Sequence, residues 1–283
     1  MESLKAIAME VGENGPLRLG VLGCGNLGEG LIRGWLKSDP DRTALQLSAS
    51  HRRAERIKHL QSTFRLSFTS ANADLAHWSD VIVICLRPPD VLPVLSGLRN
   101  LFTSTKLIVS TAAGVNPAAI RTAVGDNCKV VHVLPSSLLV VPGYERFGTH
   151  LVAREAGREE EAELVHSLFS RLGQVVLVPI DRIPEFAVLC SCTPAFLAAM
   201  WLEMMRALEN VGLPSETIRQ VLAQHVRAVA TALERGDDLD GLISRITTRD
   251  GITEAGIHHL EQKRAIEGMV IAAFEKYAGA AQQ

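Results

Sequence analysis

The feature of this sequence that most constrains its fold is a glycine-rich turn between an apolar stretch and a helical pattern. The apolar residues Leu17–Leu22 lead directly into Gly23-x-Gly25-x-x-Gly28. Gly23 permits a sharp turn, Gly25 has no side chain to keep a pyrophosphate off the backbone, and Gly28 lets the helix pack closely on its strand. The start of that helix directs its positive end at phosphate. We predict a dinucleotide-binding loop, the alternative being a turn without a ligand. Its cofactor-binding residues are predicted to be Gly23, Gly25, Asn26, Leu27 and Gly28.

The end of the second predicted strand, Ala44–Ser50, indicates which dinucleotide is bound. Proteins that bind NAD usually place a carboxylate there to accept a hydrogen bond from the ribose 2′-hydroxyl. This chain instead offers Ser50, His51, Arg52 and Arg53, and hydroxyl and guanidinium groups suit a 2′-phosphate that a carboxylate would repel. We predict that these four residues bind NADP(H), with NAD(H) as the second choice. The alternative is that Arg52 and Arg53 are solvated residues in the first turn of the next helix.

Bulk composition excludes several classes of partner. The chain has 283 residues, which is enough for two hydrophobic cores. Its residues are 47% hydrophobic and 21% charged, which is an ordinary composition for a soluble enzyme. With 29 basic and 31 acidic residues, it lacks the basic surface of a protein that binds nucleic acid or an anionic membrane. The longest apolar strand, Val81–Leu86, is too short to span a bilayer, and the first residues lack the layout of a signal peptide. We expect a cytoplasmic protein that binds neither nucleic acid nor membrane.

Cysteine usage indicates reduced thiols. The five cysteines are an odd number, and three of them lie in or beside predicted strands, as is typical of small buried core residues. Cys190 and Cys192 are separated by one residue, which is not the C-x-x-C spacing of redox and zinc motifs. We predict no metal site.

Hydrophobic periodicity divides the chain into two parts. Apolar β-branched stretches alternate with amphipathic ones up to about residue 180, which is typical of a parallel sheet flanked by helices, and helical periodicity alone continues afterwards. The sequence predicts an α/β fold: a doubly wound parallel Rossmann-type sheet in residues 1–180, followed by an all-helical dimerisation domain in residues 181–283. Strands are predicted at Leu17–Leu22, Ala44–Ser50, Ser67–Thr69, Val81–Leu86, Leu107–Thr111, Val130–Leu134, His150–Ala153 and Gln174–Pro179, and helices at Asn26–Lys37, Arg53–Ser62, Pro117–Ala123 and Gly157–Leu172.

The ligand crevice of such a sheet lies beyond the carboxyl ends of its strands. We therefore expect Cys85–Pro89, Ala112–Val115 and Pro135–Leu138 to line it.

The helical part carries its own start and stop signals. Pro194 suits a first turn, Ala195–Asn210 continues the helix with Gly212 just past its end, and Ser215 is expected to cap a helix over Glu216–Glu234 that Gly236 closes. The first of these helices has a broad methionine-rich apolar stripe. Core packing, a substrate pocket and a subunit contact could each explain it, and we favour a dimer interface.

Five segments, read in order, resemble the pyrroline-5-carboxylate reductase family, whose members make proline with NAD(P)H, and the resemblance covers nearly the whole chain. Cys85-Leu-Arg87-Pro88 stands at the family's Val-Lys-Pro turn, Ala112-Ala113-Gly114-Val115 at its Ala-Ala-Gly-Val segment, and His132-Val-Leu134-Pro135-Ser136-Ser137 at its Arg-Val-Met-Pro-Asn-Thr. Leu189–Phe196 resembles its Ser-Gly-Ser-Gly-Pro-Ala-Tyr, and Thr247–Gly256 its Thr-Ser-Pro-Gly-Gly-Thr-Thr-Ile-Ala-Gly. By this resemblance, further cofactor-binding residues are Leu86, Arg87, Pro88, Ala112, Ala113, Gly114 and Ser136.

The resemblance also implies a function and an assembly. The expected activity is NADPH-dependent reduction of a small cyclic imine, pyrroline-5-carboxylate or a related one, in an intertwined dimer that assembles further in some members. The substrate carboxylate would be held by backbone N–H groups of Asp250, Gly251, Ile252 and Thr253, and the Thr253 hydroxyl would hydrogen-bond the ring nitrogen as the catalytic group. A helix-opening loop presents free N–H donors to an anion, and a hydroxyl can relay a proton. Thr253 would alternatively, or also, cap a helix that starts at Glu254.

This sequence departs from the family's pattern in the loops of the crevice. Asp250 and Ile252 replace a glycine and a threonine of the carboxylate loop, and Ser136 replaces the asparagine that touches the cofactor. Further replacements are Arg249, Leu138, Ser191 and Thr193. The glycine-rich loop is intact, so the alternative is a non-catalytic or regulatory protein that keeps the cofactor site.

Hydride transfer to a protonated imine needs positioning and exclusion of water more than a strong base. His132, His258 and His259 are accordingly interpreted as surface or core residues. A β-hydroxyacid dehydrogenase would need a lysine in the first helices of the second domain, and none lies between Lys129 and Lys263. Deazaflavin-dependent NADP reductases resemble the first domain but not the Pro194-Ala195 and Thr247–Gly256 segments.

Overall fold

The alternation of apolar and amphipathic stretches produces one eight-stranded sheet. The computed structural model describes residues 15–125 and 128–281. Its strands are β1 (Leu17–Leu22), β2 (Leu45–Ser50), β3 (Ser67–Thr69), β4 (Val81–Ile84), β5 (Leu107–Ser110), β6 (Lys129–Leu134), β7 (Gly148–Arg154) and β8 (Gly173–Pro179). They are ordered β3-β2-β1-β4-β5-β6-β7-β8, so the order reverses between β1 and β4. The predicted doubly wound fold is confirmed.

One strand pair departs from the predicted parallel arrangement. Within the described residues every neighbouring pair is parallel except β6 and β7, where Val133 pairs with Val152 and Leu134 with Leu151 in antiparallel register. A parallel neighbour requires a crossover, usually through a helix. The segment between β6 and β7 contains only a short 3-10 turn, Ser137–Val140, so the chain returns along the same edge of the sheet.

Helices cover both faces of the sheet. They are α1 (Asn26–Ser38), α2 (Ala54–Phe64), α3 (Asn72–Trp78), α4 (Pro88–Leu98), α5 (Pro117–Val124), α6 (Glu159–Ser170) and α7 (Ile183–Ala187). Alternate strand residues enter two cores: Val81 and Val83 face the cluster that includes Trp35 and Phe169, whereas Ile82 and Ile84 face the one that includes Leu95. Strand β4 ends at Ile84 and not at Leu86 as predicted, because the chain turns there to begin α4 at Pro88.

A buried carboxylate ties α1 to the loop before β7. Glu145 is 2% exposed, and its oxygens accept hydrogen bonds from Lys37 Nζ at 2.9 Å, the Gly143 N–H at 3.1 Å and Arg33 Nη1 at 3.2 Å. Burial by itself raises the pKa of Glu145. The hydrogen bonds that its carboxylate accepts outweigh this effect and lower the pKa to about 2; the donors are Lys37, the backbone N–H groups of Glu145 and Gly143, and Arg33. The carboxylate is therefore charged and paired at neutral pH.

Within the described residues, those up to Cys192 and those from Tyr277 onward form one compact unit, and Thr193–Lys276 form a second. The helices after α7 are α8 (Thr193–Asn210), α9 (Ser215–Arg235), α10 (Leu239–Ile246), α11 (Ile252–Lys263) and α12 (Ala265–Ala281). Gly236 ends α9 in a left-handed conformation, as predicted. The predicted cap of α9 is wrong: Pro214 occupies the cap position, and the Ser215 hydroxyl donates to the Glu209 carboxylate instead.

The second unit has almost no core of its own. Ile218 and Ala232 are its buried apolar residues. Large apolar side chains that stay exposed include Leu202, Met204, Leu233, Ile246, Ile252 and Phe274. A unit that buries so few apolar residues and exposes so many fits a protein that is completed by a further protein surface.

One helical segment, Glu185–Asn210, is long and apolar enough to cross a membrane by length and composition alone, and 11% of its apolar window is buried. A single helix of this kind is weak evidence for a membrane span, because helices covered by protein have the same composition.

Candidate active site

The glycine-rich loop has the geometry expected of a dinucleotide site. Gly23 has φ +91°, and a β-carbon there would lie 2.6 Å from Leu86 Cδ2. At Gly28 a β-carbon would lie 2.9 Å from Val21 Cγ1 and 3.1 Å from the Gly23 carbonyl oxygen. At Gly25, by contrast, a β-carbon would meet nothing within 4 Å. Packing inside the protein therefore requires glycine at Gly23 and Gly28, whereas Gly25 borders open space.

The start of α1 presents backbone donors to that open space. Gly25 is the cap residue, and Asn26 and Leu27 are the first two helical residues. Their N–H groups have no carbonyl partner within the helix, and the positive end of the helix dipole coincides with them. The loop can hold a pyrophosphate.

Ser50 supports the loop from the end of β2. It is 1% exposed, its hydroxyl accepts a hydrogen bond from the Gly23 N–H at 3.3 Å, and its carbonyl oxygen accepts one from the Cys24 N–H at 2.7 Å. The structure gives this side chain a loop-positioning contact that the sequence did not indicate.

The arginines after β2 lie in a turn before the next helix. Arg52 and Arg53 are exposed, and Arg53 is the cap residue of α2, which begins at Ala54. The alternative interpretation, in which both are solvated residues of the first helical turn, is therefore correct about their exposure but wrong about their place, because the helix begins after them. His51 Nδ1 accepts a hydrogen bond from the Arg53 N–H at 3.1 Å, which shapes this turn.

A neighbouring ion-pair cluster was missed from the sequence. Glu29, in the first turn of α1, pairs with Arg33 at 2.6 Å and with Arg56 of α2. The i,i+4 spacing of Glu29 and Arg33 was a usable signal, but the approach of Arg56 depends on how α1 and α2 pack.

The loop after β4 lies beside the glycine-rich turn. Leu86 is the residue that a β-carbon at Gly23 would touch. Arg87 caps α4 and pairs with Asp90 at 3.0 Å, and Pro88 is the first helical residue. These residues are thus near the predicted pyrophosphate site, at the point where the strand order reverses.

A cavity of about 280 Å³ opens at the carboxyl ends of β5 and β6. Of the three segments predicted to line the crevice, Ala112–Val115 lines this cavity, whereas the segments starting at Cys85 and Pro135 do not. The other lining residues are Ser110, Asn116, Pro117, His132, Val133, Leu134, Ile180, Ile183 and Tyr277.

Ser136 is buried beside β7. Its N–H donates to His150 Nδ1 at 3.1 Å, and its hydroxyl accepts from the Leu138 N–H at 3.3 Å. A β-carbon at Gly148 would lie 2.2 Å from the Ser136 side chain. The Ser136 side chain is therefore held inside the loop that follows β6.

His132 lines the cavity, which the sequence did not indicate. It was interpreted as a surface or core residue, and it is indeed buried, at 7% exposure. Its Nε2 atom has no hydrogen-bond partner among the residues that the structure describes. Burial and the nearby charge of Arg121 lower its pKa to about 4, so the ring is neutral at pH 7.

The predicted carboxylate loop lies in the second unit and differs in detail from the expectation. Helix α11 starts at Ile252 with Gly251 as its cap, so the predicted cap role of Thr253 is wrong. The Asp250 N–H donates to the Glu254 carboxylate at 2.8 Å and the Gly251 N–H to the Thr248 carbonyl at 2.9 Å. Two of the four predicted donors are therefore used within the chain, and the N–H groups of Ile252 and Thr253 open the helix without a helical partner.

Two replacements in this loop, the acidic Asp250 and the apolar Ile252, both face away from the chain. The Asp250 side chain is 92% exposed, with Arg249 Nε 4.0 Å from its carboxylate. Asp250 has φ +57°, and Ile252 is 95% exposed.

Comparison with known proteins relates both parts of the chain to one family. Residues 181–283 match the family model for pyrroline-5-carboxylate reductase dimerisation. Residues 18–114 match the family model for NADP oxidoreductase, coenzyme F420-dependent. The pyrroline-5-carboxylate reductase of Methanosarcina acetivorans is 28% identical over 92% of this chain and 96% of its own. Two solved structures share the fold at 21% identity. They are the enzyme of Streptococcus pyogenes, with a TM-score of 0.82 over 95% of this chain and 99% of that one, and the NADP-bound enzyme of Plasmodium falciparum, with a TM-score of 0.79 over 94% and 97%. Residues 181–283 thus match the dimerisation domain of pyrroline-5-carboxylate reductase, and curated relatives of that name align with nearly the whole chain.

Proposed function

We propose that this protein reduces a small cyclic imine, pyrroline-5-carboxylate or a close relative, with NADPH. The observation that carries the proposal is the glycine-rich loop, which is folded around an open face at Gly25 and stands in a chain of this family. When bound, the reduced nicotinamide supplies a hydride to the carbon of the C=N bond. The protein's own residues need only position the reactants and exclude water.

The cofactor is held by the residues at the carboxyl ends of the strands. Backbone N–H groups at the start of α1 receive the pyrophosphate. Arg52 and Arg53, exposed after β2, bind the 2′-phosphate and favour NADPH over NADH, because a guanidinium pairs well with phosphate. The His51 and Ser50 contacts described above hold this turn and the phosphate loop in place. Leu86, Arg87 and Pro88 adjoin the loop, and Ala112, Ala113 and Gly114 line the cavity beyond it.

The substrate carboxylate is received by the start of α11. The N–H groups of Ile252 and Thr253 are the donors left after Asp250 and Gly251 have found partners in the chain. The Thr253 hydroxyl hydrogen-bonds the ring nitrogen and relays its proton. The exposed Asp250 carboxylate and the adjacent Arg249 offset each other in charge, so they leave the anion site usable.

The active form is a homodimer with intertwined helices, from which larger assemblies can be built. The support is the match to a dimerisation model over 181–283 and the exposed apolar surface of the second unit. We place the boundary of the dinucleotide and dimerisation domains at 180/181. The apolar helix Glu185–Asn210 is covered by the partner subunit and not by a membrane. All five cysteines are free, which fits a reducing, cytoplasmic location.

The test is direct. Purified protein is mixed with NADPH and pyrroline-5-carboxylate, and the absorbance of the reduced nicotinamide is followed, with NADH in a parallel assay. Steady loss of absorbance with imine and none without it supports the proposal. Absence of oxidation with pyrroline-5-carboxylate and with a panel of related cyclic imines overturns it, and NADPH binding without turnover would then identify a non-catalytic family member.

A further inference from the structure

A buried imidazole lacks a partner at the edge of the cavity beyond β5 and β6. His132 borders this cavity, and within residues 15–125 and 128–281 its Nε2 atom has no hydrogen-bond partner. A buried polar atom without a partner destabilises a fold, so such atoms are rare and point to a function when they adjoin open space. The protein around His132 does not use the full hydrogen-bonding capacity of its ring.

His150 Nε2 is likewise buried without a hydrogen-bond partner among the described residues, but His150 does not line the cavity. His150 Nδ1 accepts a hydrogen bond from the Ser136 N–H at 3.1 Å, and its ring packs edge-on against Phe169 with centroids 5.6 Å apart. Those contacts give His150 a structural role in holding the loop after β6.

The walls of the cavity suit a flat, uncharged ring. Val115, Leu134, Ile180 and Ile183 are apolar, and the Ser110 hydroxyl already accepts a hydrogen bond from the Ala112 N–H at 3.4 Å. The neutral imidazole of His132 offers one donor and one acceptor.

The position of the cavity relates it to the dinucleotide loop. It lies at the same edge of the sheet as the Gly23–Gly28 loop, and β5 is separated from β1 by β4. Adjacent strands lie about 4.8 Å apart, so β5 is about 10 Å from β1. A dinucleotide whose pyrophosphate lies on α1 extends in this direction with a ribose and a ring.

We propose that His132 binds the carboxamide of the nicotinamide ring. The inference rests on the proposed function and adds a cofactor-positioning residue to it. A carboxamide carries both N–H donors and a carbonyl acceptor, so it complements His132 in either tautomer. The hydrogen bond fixes the rotation of the ring, and therefore the face from which hydride leaves.

The experiment compares NADPH, which carries the nicotinamide ring, with 2′-phospho-ADP-ribose, which lacks it. Binding of NADPH and of 2′-phospho-ADP-ribose is measured by calorimetry for the wild type, His132→Leu and His132→Gln, with His77→Leu, an exposed histidine of α3, as the matched control. His132→Leu should weaken NADPH about 5- to 10-fold, the loss of one hydrogen bond, and leave 2′-phospho-ADP-ribose within about 2-fold. His132→Gln, which keeps a hydrogen-bonding side chain, should recover most of the NADPH affinity.

Stability gives an independent readout. Because His132→Leu removes an unpaired polar atom from the core, its thermal midpoint should equal or exceed that of the wild type. If the Leu variant does not fold, the wild type is titrated with NADP and with an analogue whose pyridine ring carries neither the carbonyl nor the amino group of the carboxamide. NADP should then bind more tightly than this analogue by about the same factor of 5 to 10.

The possible failures are distinguishable. If NADPH does not bind the wild type, the proposed function and this inference both fail. If NADPH binds and imine is reduced, but the His132 variants lose affinity for both ligands equally or for neither, the inference alone is wrong. A lower midpoint without a selective loss of NADPH would show that His132 is structural.

Discussion

Replacing Gly25 and Gly28 separately by alanine should distinguish cofactor binding from folding within a single loop. A β-carbon at Gly25 meets no protein atom within 4 Å, and the residue has φ −80°, which alanine adopts readily. Restricting the unfolded chain stabilises by about 0.4–1 kcal/mol. The loss of glycine at a helix cap costs a similar amount, because alanine is a poor cap residue. The free energy of unfolding of Gly25→Ala should therefore stay within about 1 kcal/mol of the wild type.

The affinity of Gly25→Ala for NADPH, in contrast to its stability, should fall clearly. The new methyl group projects into the space that a pyrophosphate needs, and overpacking of a close contact costs about 1–3 kcal/mol. Because 1.4 kcal/mol is about a factor of ten in affinity, the Kd for NADPH should rise about 5- to 150-fold.

Gly28→Ala is the matched control. Its β-carbon would lie 2.9 Å from Val21 Cγ1 and 3.1 Å from the Gly23 carbonyl oxygen, so the free energy of unfolding should fall by about 1–3 kcal/mol. Urea unfolding followed by circular dichroism measures stability, and calorimetry measures NADPH binding. Wild-type NADPH affinity in Gly25→Ala would refute the assignment of this loop to the pyrophosphate, and an unchanged stability of Gly28→Ala would refute the packing argument.

Three further predictions concern charge and backbone. The pKa of Glu145 is lowered from 4.5 to about 2, so its pairing stabilises the fold above pH 4.5 and that contribution, at most about 3 kcal/mol, is lost as pH falls towards 2. Urea unfolding at several pH values should show that Glu145→Gln removes this part of the pH dependence, and equal acid sensitivity in both proteins would contradict it. The double variant Arg52→Gln, Arg53→Gln should raise KM for NADPH about tenfold and leave KM for NADH unchanged. Equal effects on both cofactors would show that these arginines do not contact the 2′-phosphate. Gly251→Ala would place a β-carbon 2.8 Å from the Thr248 carbonyl oxygen. It should raise KM for the imine more than KM for NADPH, whereas an unaffected KM for the imine in a folded variant would exclude this loop from the substrate site.

Much of the first domain could be predicted because its signals are local. The strand Leu17–Leu22 and the helix start at Asn26 lie where the apolar run and the glycine spacing indicate, since a parallel strand buried on both faces must be apolar throughout. The helix starts were harder to predict. Ser215 and Thr253 have the side chains of cap residues, yet Pro214 and Gly251 occupy the cap positions, because the preceding turn decides where helical geometry begins.

Two hydrogen bonds that decide the site chemistry were not predictable. The Asp250 N–H is occupied by Glu254, and the Ser50 hydroxyl supports the Gly23 N–H. Neither contact has a sequence signature, since each requires a turn or a strand pairing to be formed first.

Local sequence patterns were sufficient for the class of fold, the place of the phosphate loop and the resemblance to a family, because hydrophobic period and glycine spacing are properties of neighbouring residues. Only the folded chain shows that β7 returns antiparallel to β6, that Gly25 faces open space while Gly28 is packed, and that His132 borders a cavity with no partner for Nε2 among the described residues. These depend on contacts between residues far apart in the chain, and such contacts exist only once the sheet has closed and its helices have packed.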